Sequence, residues 1–134
     1  MQPDRERDED DDGGGSGAGP RTIAELTARV LRHRDERDWA QFHTPKELAV
    51  SLVVESAELL ALMQWKSGPD LAAALDARRE AVRDELADVL HSVLLLASDL
   101  RVDLGEALEQ KLTKDAKKYP VERSKGRADK YTEL

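Results

Sequence analysis

The sequence predicts an all-α fold, a helical bundle of four to five helices. Helix-start signals recur along the chain, each with a Thr or Asp three residues before a Glu. Apolar residues follow these starts at spacings of three and four, which is the period of one helix face. The period-two alternation that would indicate half-buried strands is absent.

The first two helices begin at capping boxes. In the first box, the Thr22 hydroxyl and the Glu25 carboxylate each accept a hydrogen bond from a free backbone N–H, and this helix should run to about Asp38. The second box is Thr-Pro-Lys-Glu at residues 44–47, with proline at the first helical position, where its missing N–H costs nothing. We expect this helix to reach about Gln64.

Turn residues separate the later helices. Residues 65–70 (Trp-Lys-Ser-Gly-Pro-Asp) break the second helix, a short helix should cover residues 71–75, and a long one residues 77–100. Asp103 then caps a last helix that stops before Tyr119-Pro120, because the residue before a proline disfavours helical geometry. The polar segment from residue 121 is expected to be extended.

Charge divides the chain into an acidic tail over residues 1–21 and a domain over residues 22–134. Residues 1–20 carry a net charge of −5 out of the total of −7 and end in a Gly-rich run. Such a segment buries too little apolar surface to offset the entropy lost on ordering, which predicts disorder. The tail is either a solvating leader or an interaction handle.

Composition excludes several classes of protein. The longest uncharged apolar stretch, residues 89–98, is about half of the roughly 20 residues that a bilayer span needs. The N-terminus is acidic where a secretory signal would be basic and then apolar, so we expect a cytoplasmic protein. The absence of cysteine excludes disulfides and thiol chemistry. The domain has no basic excess, which argues against binding to nucleic acid.

Glu55 is the most informative anomaly, since it lies in the middle of the apolar face of the second helix. Glu58, one turn further on, shares that face. Two carboxylates on a buried face repel each other and lose hydration unless a cation lies between them. The surrounding apolar positions are Leu48, Leu52, Leu59 and Leu62.

The long helix repeats the arrangement, with Glu85 and Asp88 flanking its apolar stripe. If the two helices pack side by side, four carboxylates converge, and such a set of hard oxygens suits Mg²⁺ or Mn²⁺. His91 follows Asp88 by three residues, which leaves an iron site as an alternative. A second alternative to a metal site is that both acid pairs are solvated and balanced by nearby Arg. The predicted stripe consists of Val82, Leu86, Val89, Leu90, Val93, Leu94 and Ala97.

Rings and lysines are the remaining candidate binding groups. Trp39, Phe42 and Trp65 lie at helix ends or between helices, where they either plug the bundle or line a cleft for a planar ligand. Lys111 and Lys118, with Lys114 between them, share one face of the last helix. That face is either simply solvated or a clamp for a polyphosphate.

These acid pairs resemble the signature of the MazG-type all-α nucleotide pyrophosphohydrolases, ExxE followed by ExxD. Further strings resemble the dCTP pyrophosphatase-like branch and extend the likeness over residues 22–134. They are Arg-Asp-Trp-Ala-Gln-Phe-His-Thr-Pro at 37–45, Gln-Trp-Lys at 64–66, Lys-Tyr-Pro at 118–120 and Lys-Tyr-Thr-Glu-Leu at 130–134.

The resemblance implies Mg²⁺-dependent hydrolysis of a nucleoside triphosphate, with dCTP-like substrates favoured, to the monophosphate and pyrophosphate. It implies that the four acids hold the metal and that one glutamate takes a proton from water. It also implies that Lys111, Lys118 and Tyr119 hold phosphates or sugar. For the aromatic rings, it favours a ligand-binding cleft over rings that plug the bundle. The base pocket would consist of Trp39, Phe42, His43 and Trp65.

Two positions depart from the pattern, because relatives usually have Asn where this chain has Glu47 and Asp115. Each change replaces a hydrogen-bond donor with an anion near bound phosphate or adds a metal ligand. A catalytically silent nucleotide- or protein-binding bundle therefore stays the alternative. The family also pairs helices between chains, which implies a homo-oligomer, either a dimer or a tetramer of two dimers. The apolar character around most of the second helix agrees with this.

Overall fold

The computed structural model describes residues 21–134, and every regular element in that range is a helix. This confirms the predicted all-α class. The acidic tail predicted over residues 1–21 lies outside the described residues, apart from Arg21. The helices are α1 (Ile23–Asp35), α2 (Pro45–Ala61), α3 (Gly68–Ala77), α4 (Arg79–Asp99), α5 (Leu104–Lys118) and α6 (Val121–Ser124), followed by a 3₁₀ turn (Tyr131–Glu133).

Capping at the helix starts follows the sequence with one correction. The box at α1 is complete, since the Thr22 N–H donates to Glu25 Oε2 at 2.7 Å and the Glu25 N–H donates to Thr22 Oγ1 at 3.1 Å. At α2 the Glu47 N–H donates to the Thr44 hydroxyl at 3.3 Å. The Glu47 carboxylate, however, accepts from Lys46 at 2.8 Å, so the second box is only half formed.

Two predicted helix ends lie too far along the chain. The helix α1 ends at Asp35, and a Schellman motif follows it. In this motif Asp38 adopts a φ of 54°, and the Trp39 N–H donates to the Arg34 carbonyl at 3.1 Å. The second helix ends at Ala61 rather than Gln64, ahead of Trp65, whose φ is 63°. The short helix is longer than predicted, whereas α4 and α5 lie within two residues of their predicted bounds.

The expectation of an extended segment after residue 120 is wrong. Pro120 caps the short α6, and the Ser124 hydroxyl donates to the Pro120 carbonyl. The chain then forms a 3₁₀ turn whose Tyr131 packs on Tyr119. A tertiary contact therefore orders a polar segment that has no periodic pattern of its own.

Packing centres on α4. It lies along α2 over most of its length, α1 crosses it, and α3 contacts it less, whereas α5 packs only marginally against the other helices. Among the described residues the buried side chains are Leu48, Ser92, Leu94, Leu95 and Ala97. This small core leaves many large apolar side chains exposed, among them Val53, Leu60, Leu108 and Leu112.

The apolar stripe predicted for α4 is partly wrong. Leu86 and Leu90 are 52% and 46% exposed, whereas Ser92 and Leu95 are buried. The second half of α4 is apolar around most of its circumference, so its period does not select the face that meets α2. No helix within residues 21–134 is long and apolar enough to cross a bilayer.

Candidate functional site

An acidic cluster lies at the interface between α2 and α4. Carboxylate oxygens of Glu55, Glu58 and Glu85 lie within 4.8 Å of one another. Asp88 lies one turn beyond Glu85 and lines a cavity of about 110 Å³ together with Glu55. The structure thus brings together on two packed helices the acids that the sequence singled out, which it could do only because α2 lies along α4.

The acidic cluster carries uncompensated negative charge. Partial burial, followed by the charges of Glu58 and Asp88, raises the pKa of both Glu55 and Glu85. Glu85 Oε2 is buried without a hydrogen-bond partner. None of the ion pairs formed within residues 21–134 involves these acids.

Such a cluster fits a hard divalent cation. Oxygen ligands of Mg²⁺ at about 2.1 Å in octahedral geometry lie roughly 3 to 4 Å apart, which the gathered oxygens can reach with small side-chain shifts. A cation would satisfy the buried Glu85 oxygen and offset the repulsion. The three gathered ligands are carboxylates with no histidine among them, which favours Mg²⁺ or Mn²⁺ over the iron alternative.

Histidines border the acidic cluster, and Trp39 packs against two of them. His43 and His91 line the cavity that Glu55 and Asp88 share. The ring of His33 contacts those of His91 and Trp39 at centroid distances of 6.3 and 5.8 Å. Burial, followed by the charge of His33, lowers the pKa of His91 against the opposite effect of Asp88, which favours a neutral imidazole at neutral pH.

A groove of about 510 Å³ runs between α1 and α4 and reaches Asp88. Its volume lies within the range of sites for small molecules. His33 and His91 supply polar groups, and Arg29 lies among the lining residues. The sequence analysis did not select His33, because a lone histidine on an amphipathic helix carries no signal until the partner helix is known. The apolar lining consists of Leu26, Val30, Leu90 and Leu94.

The predicted base-pocket residues divide into two groups. Trp39 and His43 lie together, with ring centroids 6.2 Å apart, and His43 lines the cavity that Glu55 and Asp88 share. Phe42 and Trp65 are 64% and 94% exposed, so a single chain does not draw them into a pocket. None of the three rings considered as plugs is buried, which argues against that interpretation.

The predicted phosphate-binding residues lie on α5, apart from the acidic cluster. Lys111 pairs with Asp115 one turn along the helix. The Lys118 ammonium lies 5.1 Å from the centroid of the Tyr131 ring, and the Tyr119 and Tyr131 rings meet edge to face at 5.9 Å. No hydrogen bond or ion pair in the described part of the chain joins these lysines to the acids.

Comparison of the sequence with known proteins identifies relatives of this chain. Mouse dCTP pyrophosphatase 1 is 45% identical over 101 residues, which cover 74% of this chain and 59% of the mouse protein. Human dCTP pyrophosphatase 1 is 41% identical over the same share of both chains. The chain therefore spans about three fifths of the length of these relatives.

A solved structure and a family profile agree with these relatives. The crystal structure of a pyrophosphatase from Archaeoglobus fulgidus superposes with a TM-score of 0.70 at 38% identity, over 77% of this chain and 96% of that one. Residues 50–134 match the profile of the MazG-like family. These findings confirm the resemblance found in the sequence, and the chain belongs to the MazG-like family.

Proposed function

We propose that this protein hydrolyses (deoxy)nucleoside triphosphates to the monophosphate and pyrophosphate in the presence of Mg²⁺, with dCTP-like substrates favoured. The observation that carries the proposal is the acidic cluster of Glu55, Glu58 and Glu85 with Asp88 beside it. The similarity to proteins named dCTP pyrophosphatase supports the substrate class.

The acidic cluster is the proposed metal site. Glu55, Glu58, Glu85 and Asp88 would hold Mg²⁺, with Mn²⁺ as a substitute, through carboxylate oxygens alone. The bound ion would neutralise phosphate charge and lower the pKa of a coordinated water. One glutamate of the acidic cluster would take the proton of that water as general base.

The groove between α1 and α4 is the proposed nucleoside site. It reaches the acidic cluster at Asp88, so a nucleoside bound there would present its phosphates to the acids. His43 lines the cavity that Glu55 and Asp88 share, and Trp39 packs against His43. Phe42 and Trp65 complete the base pocket in this proposal only where another chain covers them, because both are exposed in one chain.

A homo-oligomer, a dimer or a tetramer of two dimers, would supply that cover. Leu108 and Leu112 on the weakly packed α5 are 57% and 59% exposed, and Val53 on α2 is 68% exposed. Burying such side chains against a second copy is favourable. In this proposal Lys111 and Lys118 on α5, together with Tyr119 at its end, hold phosphates or sugar, as the resemblance to the family implies.

Light scattering coupled to size exclusion tests the oligomer. The double variant Leu108→Asp/Leu112→Asp should elute with the molar mass of a single chain, because charge at a contact of two chains opposes their association. Lys114→Asp, a change at an exposed polar position of the same helix, should keep the mass of the wild type. A wild type with the mass of one chain would refute the oligomer.

Turnover tests the function. The purified protein is incubated with a panel of dNTPs and NTPs and Mg²⁺, and the products are separated by chromatography. Monophosphate and pyrophosphate should form, with dCTP or a modified cytosine nucleotide among the best substrates. The isosteric Glu55→Gln should abolish turnover, and Glu80→Gln, on α4 outside the cluster, should not.

The same assay addresses the silent alternative. Intact triphosphates across the panel, together with a melting temperature that rises on adding Mg²⁺, would favour a nucleotide-binding bundle over an enzyme. Turnover would instead support a role in removing surplus or modified nucleotides from the cytoplasmic pool.

A further inference from the structure

The segment after α6 turns back onto the C-terminal end of α5. Gly126, with a φ of +75°, permits the reversal, and the Glu133 N–H donates to the Lys130 carbonyl at 2.8 Å to close the 3₁₀ turn. Arg123 donates to the main-chain carbonyl of Leu134. The sequence singled out residues 130–134 as a string resembling the family, yet the proposed site assigns them no task.

Tyr131 is the point at which this segment meets α5. Its ring packs edge to face on Tyr119 at an interplanar angle of 79°. The same ring lies 5.1 Å from the Lys118 ammonium, within the distance of a cation–π interaction. Tyr131 therefore contacts both residues at the end of α5 that the proposed function assigns to phosphate or sugar.

The ring restrains Lys118 without neutralising it. Lys111 has its charge compensated by the carboxylate of Asp115, whereas Tyr131 offers an uncharged π face to Lys118. A lysine side chain has many rotamers, and immobilising it when a ligand binds costs entropy. A lysine already restrained by a neutral ring loses less of that entropy and keeps its full charge for an anion.

We propose that Tyr131 is a positioning residue for the triphosphate, which acts by holding the Lys118 ammonium at the end of α5, while the Tyr119 ring keeps Tyr131 in place. This inference rests on the proposed function. Tyr131 does not touch the reacting atoms, so it affects binding of the phosphates and leaves the chemical step unchanged.

The test compares Tyr131→Leu with Tyr131→Phe. The leucine variant removes the π face and should raise the KM for the preferred triphosphate about threefold to fivefold at unchanged kcat, the size expected from an exposed cation–π contact. The phenylalanine variant keeps the ring and should restore the KM of the wild type. Asp129→Ala removes an ion pair with Arg127 in the same segment and should leave KM unchanged.

Two further variants separate positioning from a loss of folding. Gly126 lies outside the contact between Tyr131 and Lys118, and Gly126→Val disfavours the positive φ at the reversal. The variant should therefore displace Tyr131 and raise KM as Tyr131→Leu does. Lys118→Met combined with Tyr131→Leu should raise KM no further than Lys118→Met alone, because the ring acts through the ammonium. Melting temperatures of all variants should stay close to that of the wild type.

The outcomes distinguish this inference from the function on which it rests. Binding of inorganic tripolyphosphate with Mg²⁺, measured by calorimetry, accompanies the turnover assays and should weaken in Tyr131→Leu. Three results would overturn the role of Tyr131 and leave the proposed function intact. They are a wild-type KM in Tyr131→Leu, a rise in KM in Tyr131→Phe equal to that in Tyr131→Leu, and effects on KM that add to those of Lys118→Met. A wild type that neither cleaves triphosphates nor binds tripolyphosphate would overturn both proposals.

Discussion

The interface of α2 with α4 and the arm formed by α5 and its return segment are built on opposite principles. At the interface, tertiary packing crowds Glu55 and Glu85 together, and none of the ion pairs formed by basic side chains within residues 21–134 involves them. On the arm, Lys111 pairs with the carboxylate of Asp115 one turn along the helix, and Lys118 lies against the Tyr131 ring, which the return segment brings back onto α5. In the proposed function, the partly buried interface of one chain holds the metal, and the phosphates bind to a surface that packing leaves free.

The largest effect is expected at the packed interface. Glu85→Gln removes one ligand charge of the acidic cluster, and kcat should fall roughly 100-fold or more, the scale on which losing one electrostatic group at a reacting phosphate acts. Asp84→Asn, the exposed neighbour on α4, is the matched control and should keep normal kcat. Steady-state kinetics measures both, and equal rates in wild type and Glu85→Gln would break the association of catalysis with this interface.

A smaller effect is expected on the arm. Lys118→Met keeps most of the aliphatic stem and removes the charge, so KM for a triphosphate should rise about tenfold, as expected when a charge-assisted hydrogen bond is lost. The kcat value should change little. A variant that instead loses kcat at constant KM would show that the arm takes part in the chemical step and would remove the distinction between the two regions.

Asp115→Asn should act in the opposite direction. The change releases Lys111 from its ion pair and removes an anion from the face that we propose binds phosphate. KM should fall about twofold to fivefold, in keeping with the modest strength of exposed pairs. Steady-state kinetics beside Lys111→Met checks the assignment, and a KM that stays constant or rises would contradict it.

The smallest effect is on stability, and its sign depends on pH and metal. Folding raises the pKa of Glu85, so the favourable contribution of the protonated form is complete below the ordinary pKa and is lost as pH rises through the folded value. Glutamine mimics the protonated form. In EDTA, Glu85→Gln should therefore melt a few degrees above the wild type at about pH 8 and close to it at about pH 4.

Added Mg²⁺ should reverse that order. The cation stabilises the intact acidic cluster of the wild type and stabilises the variant less. Thermal melts with and without the metal check both signs. A wild type that is more stable than Glu85→Gln in EDTA at high pH would show that the acidic cluster is not under electrostatic strain.

Local signals predicted the helices well. The Thr22 box, the Asp103 cap and the stop before Pro120 act within a few residues, so the sequence carries them directly. The carboxylates were also visible, because Glu55 stands out against an apolar face. Helix ends set by left-handed residues were missed, since Asp38 and Trp65 take that conformation without being glycine.

Features that depend on neighbouring elements were predicted poorly. The face of α4 that meets α2 includes Ser92 and Leu95 rather than Leu86 and Leu90. His33 could be identified as a candidate site residue only from the packing of α1 on α4, which places it next to His91. The contact of Tyr131 with the end of α5 could not be predicted, because residues 121–134 have no periodic pattern.

By itself the sequence determined that the protein is helical, where its helices begin, and which carboxylates stand on a face that should be apolar. These properties follow from backbone capping and from a period of 3.6 residues, which act over one or two turns. Only the tertiary structure decided which faces meet, that α5 stays largely free, and that the acids gather at one interface. Those outcomes depend on helices separated by dozens of residues, whose relative placement is set by the apolar faces that they bury against one another.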